Sequence, residues 1–451
     1  MSHSRPRCFL IVILLTGLVL APVGGAPPPV VSAADGITKT VLPNGLTVLV
    51  KEVSRVDLVA VEFLIRAGPR VEEVGEAGLG SLTLGAILRG TERRSAVQIA
   101  LTLEGVGAVL SSTASSDYTR LSVMTLSRHI DVAMDVLADL VTGAKFDPTE
   151  IETVRRINVT RVRAAADQPL TRAQDLVAGH LYALHPYGNP TLGTVESLTA
   201  LTRERVVAFY RTFYTAPNMV VVVGGNVKAD AALEKVGRFF GQVRSDPVPQ
   251  RVRLLTAVER ALAPRASTRQ EFRETQRTSA AALAVGYMGV EVGHRDWAAL
   301  RVIGALLGEG LSGRLFVEIR EKQGLAYVVG GGFQTRAGPG LLLFVAGTES
   351  PNVPRVLEGI LREITRLQEA PVAEDDLGRA RQRVIGVHAI NHEDLRSQAF
   401  NLGLYELLGV GYAFDFRLPE VVAAVRAEDV QRVARLYLQH PTVGIVAPPG
   451  R

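Results

Sequence analysis

The run GLTVLVKE from Gly45 and the run LVAVEFLIRAG from Leu58 are apolar and β-branched, short, and bounded by polar or turn residues. That pattern predicts strands. Pro43-Asn44-Gly45, just before the first run, marks a hairpin turn between the first two strands of the half. TRLSVMTL, Thr119 to Leu126, is a further run of the same kind. Other stretches change period. Leu79, Leu82, Ala86 and Ile87 recur at helical spacing, and Arg89-Gly90-Thr91 closes the run. Asp147-Pro148-Thr149-Glu150 starts another helix, with a capping acid, Pro in the first turn and Glu at the third position. Hairpin-linked strands alternating with long amphipathic helices predict an α+β fold with largely antiparallel sheets.

The pattern then repeats. LTRERVVAFYRTFYTAPNMVVVVGG, from Leu201, has the order helix, Pro, apolar strand, and so does VRAEDVQRVARLYLQHPTVGIVAPP, from Val425. Glu204 and Glu428, Val206 and Val430, Phe213 and Tyr437, and Pro217 and Pro441 keep one constant offset. Gly85-Ala86-Ile87-Leu88 likewise answers Gly304-Ala305-Leu306-Leu307. A period of roughly 220 residues is far longer than a solenoid unit, so it implies two homologous domains. They are expected over residues 35–245 and 270–451, joined by the polar, Pro- and Arg-containing stretch 246–269.

At 451 residues the chain is too long for one ordinary core, which agrees with two domains. A net charge of +5 is spread along the chain with no basic run beside aromatics, so nucleic acid is not an expected partner. Residues 1–34 differ from the rest. Arg5 and Arg7 precede the apolar run Phe9 to Ala21, and VVSAAD follows, which is the order of a secretory signal cleaved after Ala33 or Ala34. The run is short for a membrane span, so no stable membrane insertion is expected after cleavage. Cys8, the only cysteine, leaves with the signal, which excludes disulfides and thiol catalysis from the mature chain. The expectation is export to the periplasm.

Motifs in the family's order resemble the pitrilysin-type, or insulinase-type, zinc metallopeptidase family. They lie in TVLPNGLTVLV, AGPRVEEVGEAGLGSLTLGAILRGT, LEGVGAVLSSTASSDYT and HPYGNPTLGTVESLTALT of the first half and LGEGLSGRLFVEIREKQGLAYVVGG of the second. The resemblance covers nearly all of the mature chain. It implies two α+β domains of that family's kind and, as in its shorter members, pairing with a second chain around a chamber.

The family's inverted zinc motif, His-x-x-Glu-His with a later Glu ligand, is missing. Anchored on Arg89-Gly90-Thr91, its positions hold Ser81, Leu84 and Gly85, and the later Glu falls near Arg161. Zinc takes lone pairs from imidazole, thiolate or carboxylate at about 2.0–2.3 Å. Leu84 and Gly85 offer none, a neutral Ser hydroxyl is a poor ligand, and Arg161 brings positive charge toward a cation. The base that would activate water is absent as well. No metal or other cofactor is therefore expected in this chain, which should not hydrolyse peptides alone. A helix of this sequence still packs a domain core.

Other residues carry candidate chemistry. By the resemblance, Arg320 and Tyr327 stand where an Arg and a Tyr reach the substrate from the second domain. There the Tyr hydroxyl donates to a developing oxyanion and the Arg binds a carbonyl or carboxylate. Gly324 reads as the left-handed cap of the helix that ends between them. AVLSSTASSDYT resembles the family's edge strand that holds an extended peptide by strand addition, with Ser111 and Ser112 as candidate substrate-binding residues. His388 and His392 stand at i, i+4, a possible metal pair for which the sequence shows no third ligand. His185, in HPYG, reads as turn-stabilising. Asn158-Val-Thr160 matches a glycosylation acceptor but lies within a helix, and GGGFQTRAGPG does not open a helix as a phosphate loop must.

Taken together, these readings predict a noncatalytic subunit of an exported heteromeric peptidase. A zinc-bearing paralogous partner would hold the metal, peptides would be the substrates, and Arg320 and Tyr327 would act in trans. The alternative is a catalytically inactive structural or peptide-binding scaffold.

Overall fold

The computed structural model describes residues 36–183, 185–252 and 268–449, with the backbone of Ser32–Ala34. The rest of the expected signal, Cys8 included, lies outside the described residues. No helix among the described residues is long and apolar enough to cross a membrane.

Two sheets organise the chain. The first contains β1 (Ser32–Ala34), β2 (Ile37–Val41), β3 (Thr47–Glu52), β4 (Leu58–Ile65), β5 (Val109–Ala114), β6 (Thr119–Leu126) and β7 (Met219–Gly225), in the order β1-β2-β3-β7-β4-β6-β5. The second contains β8 (Gln270–Thr275), β9 (Ala281–Met288), β10 (Val328–Gln334), β11 (Leu341–Thr348) and β12 (Thr442–Ala447), in the order β10-β11-β9-β12-β8. The repeat is visible in the pairing. The block β3-β7-β4-β6-β5 has the same order and directions as β8-β12-β9-β11-β10, each with one parallel pair (β3 with β7, β8 with β12) and antiparallel neighbours elsewhere. Central strands are covered on both faces, so they read as continuous apolar runs: every residue of β7 is buried.

Strand β4 shows how the faces divide. Val59, Val61, Phe63 and Ile65 join one core, together with the Leu79–Ile87, Ile130–Thr142 and Arg203–Phe213 helices. Ala60 and Leu64 point the other way and meet the Leu395–Leu407 helix, through Leu395, Ala399 and Leu402. That helix comes from the second half of the sequence. Reciprocally, the Pro169–Leu181 helix of the first half packs Ala173 and Val177 on Ala282, Ala284 and Val446 of the second sheet. The two halves have exchanged one helix each. Glycines permit the close approach: a Cβ on Gly403 would lie 2.6 Å from Leu64 Cδ1, and one on Gly286 would lie 2.3 Å from Val177 Cγ1. Neither helix has a neighbour assigned from sequence, because contacts between distant segments leave no local pattern.

Candidate functional site

A cleft of about 530 Å³ opens between the Leu79–Ile87 helix, the Pro148–Ala166 helix, edge strand β5 and the Thr191–Leu192 turn. Ser81, Leu84, Gly85, Ser112, Asn158 and Arg161 all line it. The four positions that the resemblance assigns to the zinc motif thus line one cleft, next to the strand expected to hold peptide.

The geometry does not suit zinc. The Ser81 hydroxyl is committed, donating to the Thr191 carbonyl at 2.6 Å. Val154, one helix away, fills the space a side chain at position 85 would need: a Cβ there would meet Val154 Cγ1 at 2.4 Å. Leu84 is buried and apolar. Arg161 is exposed and has no ion-pair partner among the described residues. A fixed positive charge, two positions without lone pairs and one engaged hydroxyl cannot hold a dication. What the cleft offers is donors. Besides Arg161, Asn158 is buried and its Nδ2 has no hydrogen-bond partner among the described residues. Peptide carbonyls or a carboxylate are the complement of such a set.

The cleft helix is anchored at its start by a buried acid. Glu72 accepts N–H bonds from Gly78 at 3.1 Å and Gly80 at 2.8 Å. These satisfy amides at the helix N-terminus. Burial nevertheless dominates and pushes the Glu72 carboxyl up to about 8, although both amide bonds pull the other way.

The remaining sequence-derived candidates separate. Ser112 faces the cleft, whereas Ser111, one residue away, accepts a bond from Arg396 Nη1 at 3.1 Å on the exchanged helix. Arg320 and Tyr327 are absent from the cleft lining, which comes wholly from the first half. Arg320 stacks over Phe316, 5.1 Å from the ring centre, in the π-helical segment Phe316–Glu321. Gly324, at φ +62°, ends that segment with Leu325 N–H bonded to the Ile319 carbonyl at 3.0 Å, the cap the sequence indicates. Tyr327 is 57% exposed and lies over Gly347, where a Cβ would come within 2.4 Å of its hydroxyl. Both residues are exposed, and neither side chain has a hydrogen-bond or ion-pair partner among the described residues.

The HPYG loop is a fastener between the halves. His185 Nδ1 accepts the Tyr187 N–H at 3.1 Å, which is the turn-stabilising role expected of it. The Tyr187 hydroxyl donates to buried Asp117 and accepts Gly338 N–H at 3.0 Å; Asp117 also accepts Ala337 N–H at 3.2 Å. Arg336 of the second half stacks over both Tyr182 and Tyr187.

His388 and His392 gain a neighbour that the sequence did not reveal. Asp415, from the Phe414–Ala423 helix, places Oδ2 2.7 Å from His392 Nε2 and Oδ1 3.7 Å from His388 Nε2. No spacing rule links Asp415 to the pair, so only the fold brings the three together.

The duplicated sheets and the cleft between a degenerate motif helix and an edge strand define a pitrilysin-like metallopeptidase architecture. Two family models match consecutive parts of the chain: residues 47–195 match "Insulinase (Peptidase family M16)" and residues 200–384 match "Peptidase M16 inactive domain". The chain belongs to peptidase family M16, as a member without the zinc-binding residues. It is 29% identical over 424 residues to an uncharacterized zinc protease of Streptomyces coelicolor, covering 91% of this chain and 90% of that protein. It is 27% identical over 409 residues to the uncharacterized zinc protease YmxG of Bacillus subtilis, covering 90% of this chain and 97% of that protein. The crystal structure of a peptidase M16 inactive domain from Pseudomonas fluorescens superposes with a TM-score of 0.83 at 19% identity, covering 92% of this chain and 98% of that chain. That likeness concerns the fold.

Proposed function

We propose that this chain is the noncatalytic subunit of an exported, two-chain zinc peptidase. It binds peptide and completes the active site of a zinc-bearing partner with Arg320 and Tyr327. The observation that carries the reading is the contrast between the two chemical halves. The positions that the resemblance assigns to zinc hold a committed hydroxyl, a buried Leu, a packed Gly and an Arg without an ion-pair partner among the described residues, while Arg320 and Tyr327 are exposed and their polar groups have no hydrogen-bond partner among the described residues. An extended peptide can add to the free edge of β5 through main-chain bonds, with Asn158 and Arg161 as donors to its carbonyls. In trans, the Tyr327 hydroxyl donates to the oxyanion and Arg320 binds a substrate carbonyl or carboxylate, whereas metal and base belong to the partner.

One observation favours the scaffold reading instead: Arg320 and Tyr327 do not line this chain's own cleft. The test is peptide cleavage by the pair purified together from the native host, with assembly followed by size-exclusion chromatography. Tyr327→Phe should assemble normally and lose on the order of 10²–10³ in turnover, the usual cost of one oxyanion donor. Arg320→Ala should also weaken substrate binding. Normal assembly and wild-type cleavage by both variants would make this chain a scaffold.

A further inference from the structure

We infer that His388, His392 and Asp415 form a divalent-cation site of the zinc class, separate from the degenerate motif, that clasps the start of the exchanged Leu395–Leu407 helix. The ligand set is compact. One ligand atom from each of the three residues lies within 4.8 Å of the other two, and the imidazole centres are 4.2 Å apart. Two imidazoles and one carboxylate are donors that zinc accepts, and ligand atoms on a tetrahedral ion stand about 3.3 Å apart. The 3.7 Å between His388 Nε2 and Asp415 Oδ1 brackets that value from above. The 2.7 Å between His392 Nε2 and Asp415 Oδ2 lies below it, so binding requires that pair to open by roughly half an ångström.

Two features point to a ligand beyond mere proximity. First, Asp415 is 2% exposed, and its Oδ1 has no hydrogen-bond partner among the described residues. A buried carboxylate oxygen left unpaired is costly, and a cation between the imidazoles would satisfy it. Second, His392 Nδ1 lies 2.7 Å from the His388 carbonyl. Donation of Nδ1–H to that carbonyl leaves the Nε2 lone pair facing the carboxylate, the orientation that outer hydrogen bonds impose on ligating histidines. Two lone pairs at that distance need a positive species between them. A proton is the minimal occupant, and a metal ion is the one that also reaches His388 and the unpaired Oδ1.

The surroundings allow entry and define the role. His388 and His392 retain partly exposed edges, which leaves room for a water as fourth ligand. The nearby Lys51 ammonium on β3 opposes a cation, while the Asp415 carboxylate attracts one. The His392 carbonyl accepts Gln398 Nε2 at 2.6 Å, and Asp394 caps the following helix by accepting Ser397 N–H at 2.9 Å. A metal here therefore ties the Glu374–Ile390 helix, the Phe414–Ala423 helix and the first turn of the exchanged helix into one unit.

The experiment uses the full mature chain without a metal-binding tag, stripped with chelator and titrated with zinc alone by calorimetry. Elemental analysis after dialysis provides the stoichiometry. About one zinc per chain is expected, with a raised thermal midpoint. His388→Gln with His392→Gln, or Asp415→Asn alone, should abolish both effects with far-UV circular dichroism unchanged, while Ser81→Ala should leave both intact. Failure of the unmutated chain to take up zinc saturably below about millimolar concentration would overturn the site and leave a proton as its occupant. Stoichiometric zinc that survives the double substitution would overturn it as well.

Discussion

Gly85 offers a test of whether packing has sealed the old metal position. In a helix interior, Ala is favoured over Gly by about 1 kcal/mol, so Gly85→Ala should stabilise the Leu79–Ile87 helix if nothing stands in the way. Val154 stands in the way: the new Cβ would sit 2.4 Å from its Cγ1, while Val154 Cβ and Cγ2 are both at 3.6 Å. The clash is therefore one methyl group. Val in a helix holds a single side-chain rotamer about nine times in ten, so swinging that methyl aside is not a cheap escape. Overpacking of this kind costs about 1–3 kcal/mol, enough to offset the propensity gain. Gly85→Ala should then lower stability by up to about 2 kcal/mol in the natural chain and raise it by about 1 kcal/mol beside Val154→Ala. The sign reverses, with a coupling of about 1–3 kcal/mol between the sites. Urea unfolding of the four proteins of this cycle measures it. The same logic governs repair of the motif: Ser81→His, Leu84→Glu, Gly85→His and Arg161→Glu should create a zinc site only when Val154→Ala accompanies them. A Gly85→Ala chain that is more stable than the natural one would refute the packing argument.

Two further outcomes follow from buried groups. Glu72 has its folded-state value raised from 4.5 to about 8, so its contribution is fully present below about pH 4.5 and is lost as pH rises through about 8. The slope across that window is at most about 1.4 kcal/mol per pH unit. Glu72→Gln should flatten the stability–pH curve between pH 5 and 8 relative to the natural chain, and parallel urea midpoints for the two proteins would contradict this. Leu402 is 1% exposed on the exchanged helix, so Leu402→Ala should cost about 2–5 kcal/mol. Because the damage sits on the first sheet but the helix belongs to the second half, fluorescence of the sole tryptophan, Trp297, should shift its melting together with far-UV circular dichroism. A shift in one signal alone would show the halves to be independent.

Much of the local structure was legible in the sequence because it is set by short-range rules. The β-branched runs became β3, β4 and β6, and Asp147 caps its helix by accepting Thr149 N–H at 2.9 Å with Pro148 behind it. The constant offset between the halves reappears as one strand order used twice. Ser81, Leu84 and Gly85 share one face of one helix, and Arg161, on another helix, lines the same cleft. Three things were not legible, each because it depends on distant residues. Val154 against Gly85, Asp415 beside the histidines, and each exchanged helix against the opposite sheet are contacts between segments whose own patterns are unremarkable.

The helix exchange also governs the order in which the molecule can be finished. A chain emerging from its N-terminus completes the seven-stranded sheet when β7 is made, yet the helix that covers Leu64, Val220 and Val222 is not synthesised until Leu395–Leu407. Until then that face of the sheet lacks its covering helix, and the Pro169–Leu181 helix has no sheet to lie on. The first half is thus an unfinished object that needs shelter, from a chaperone or from its own denatured state, through most of synthesis. Once both helices are home, neither half can leave without baring the other. Loss of catalytic residues on the motif helix leaves that mutual grip untouched.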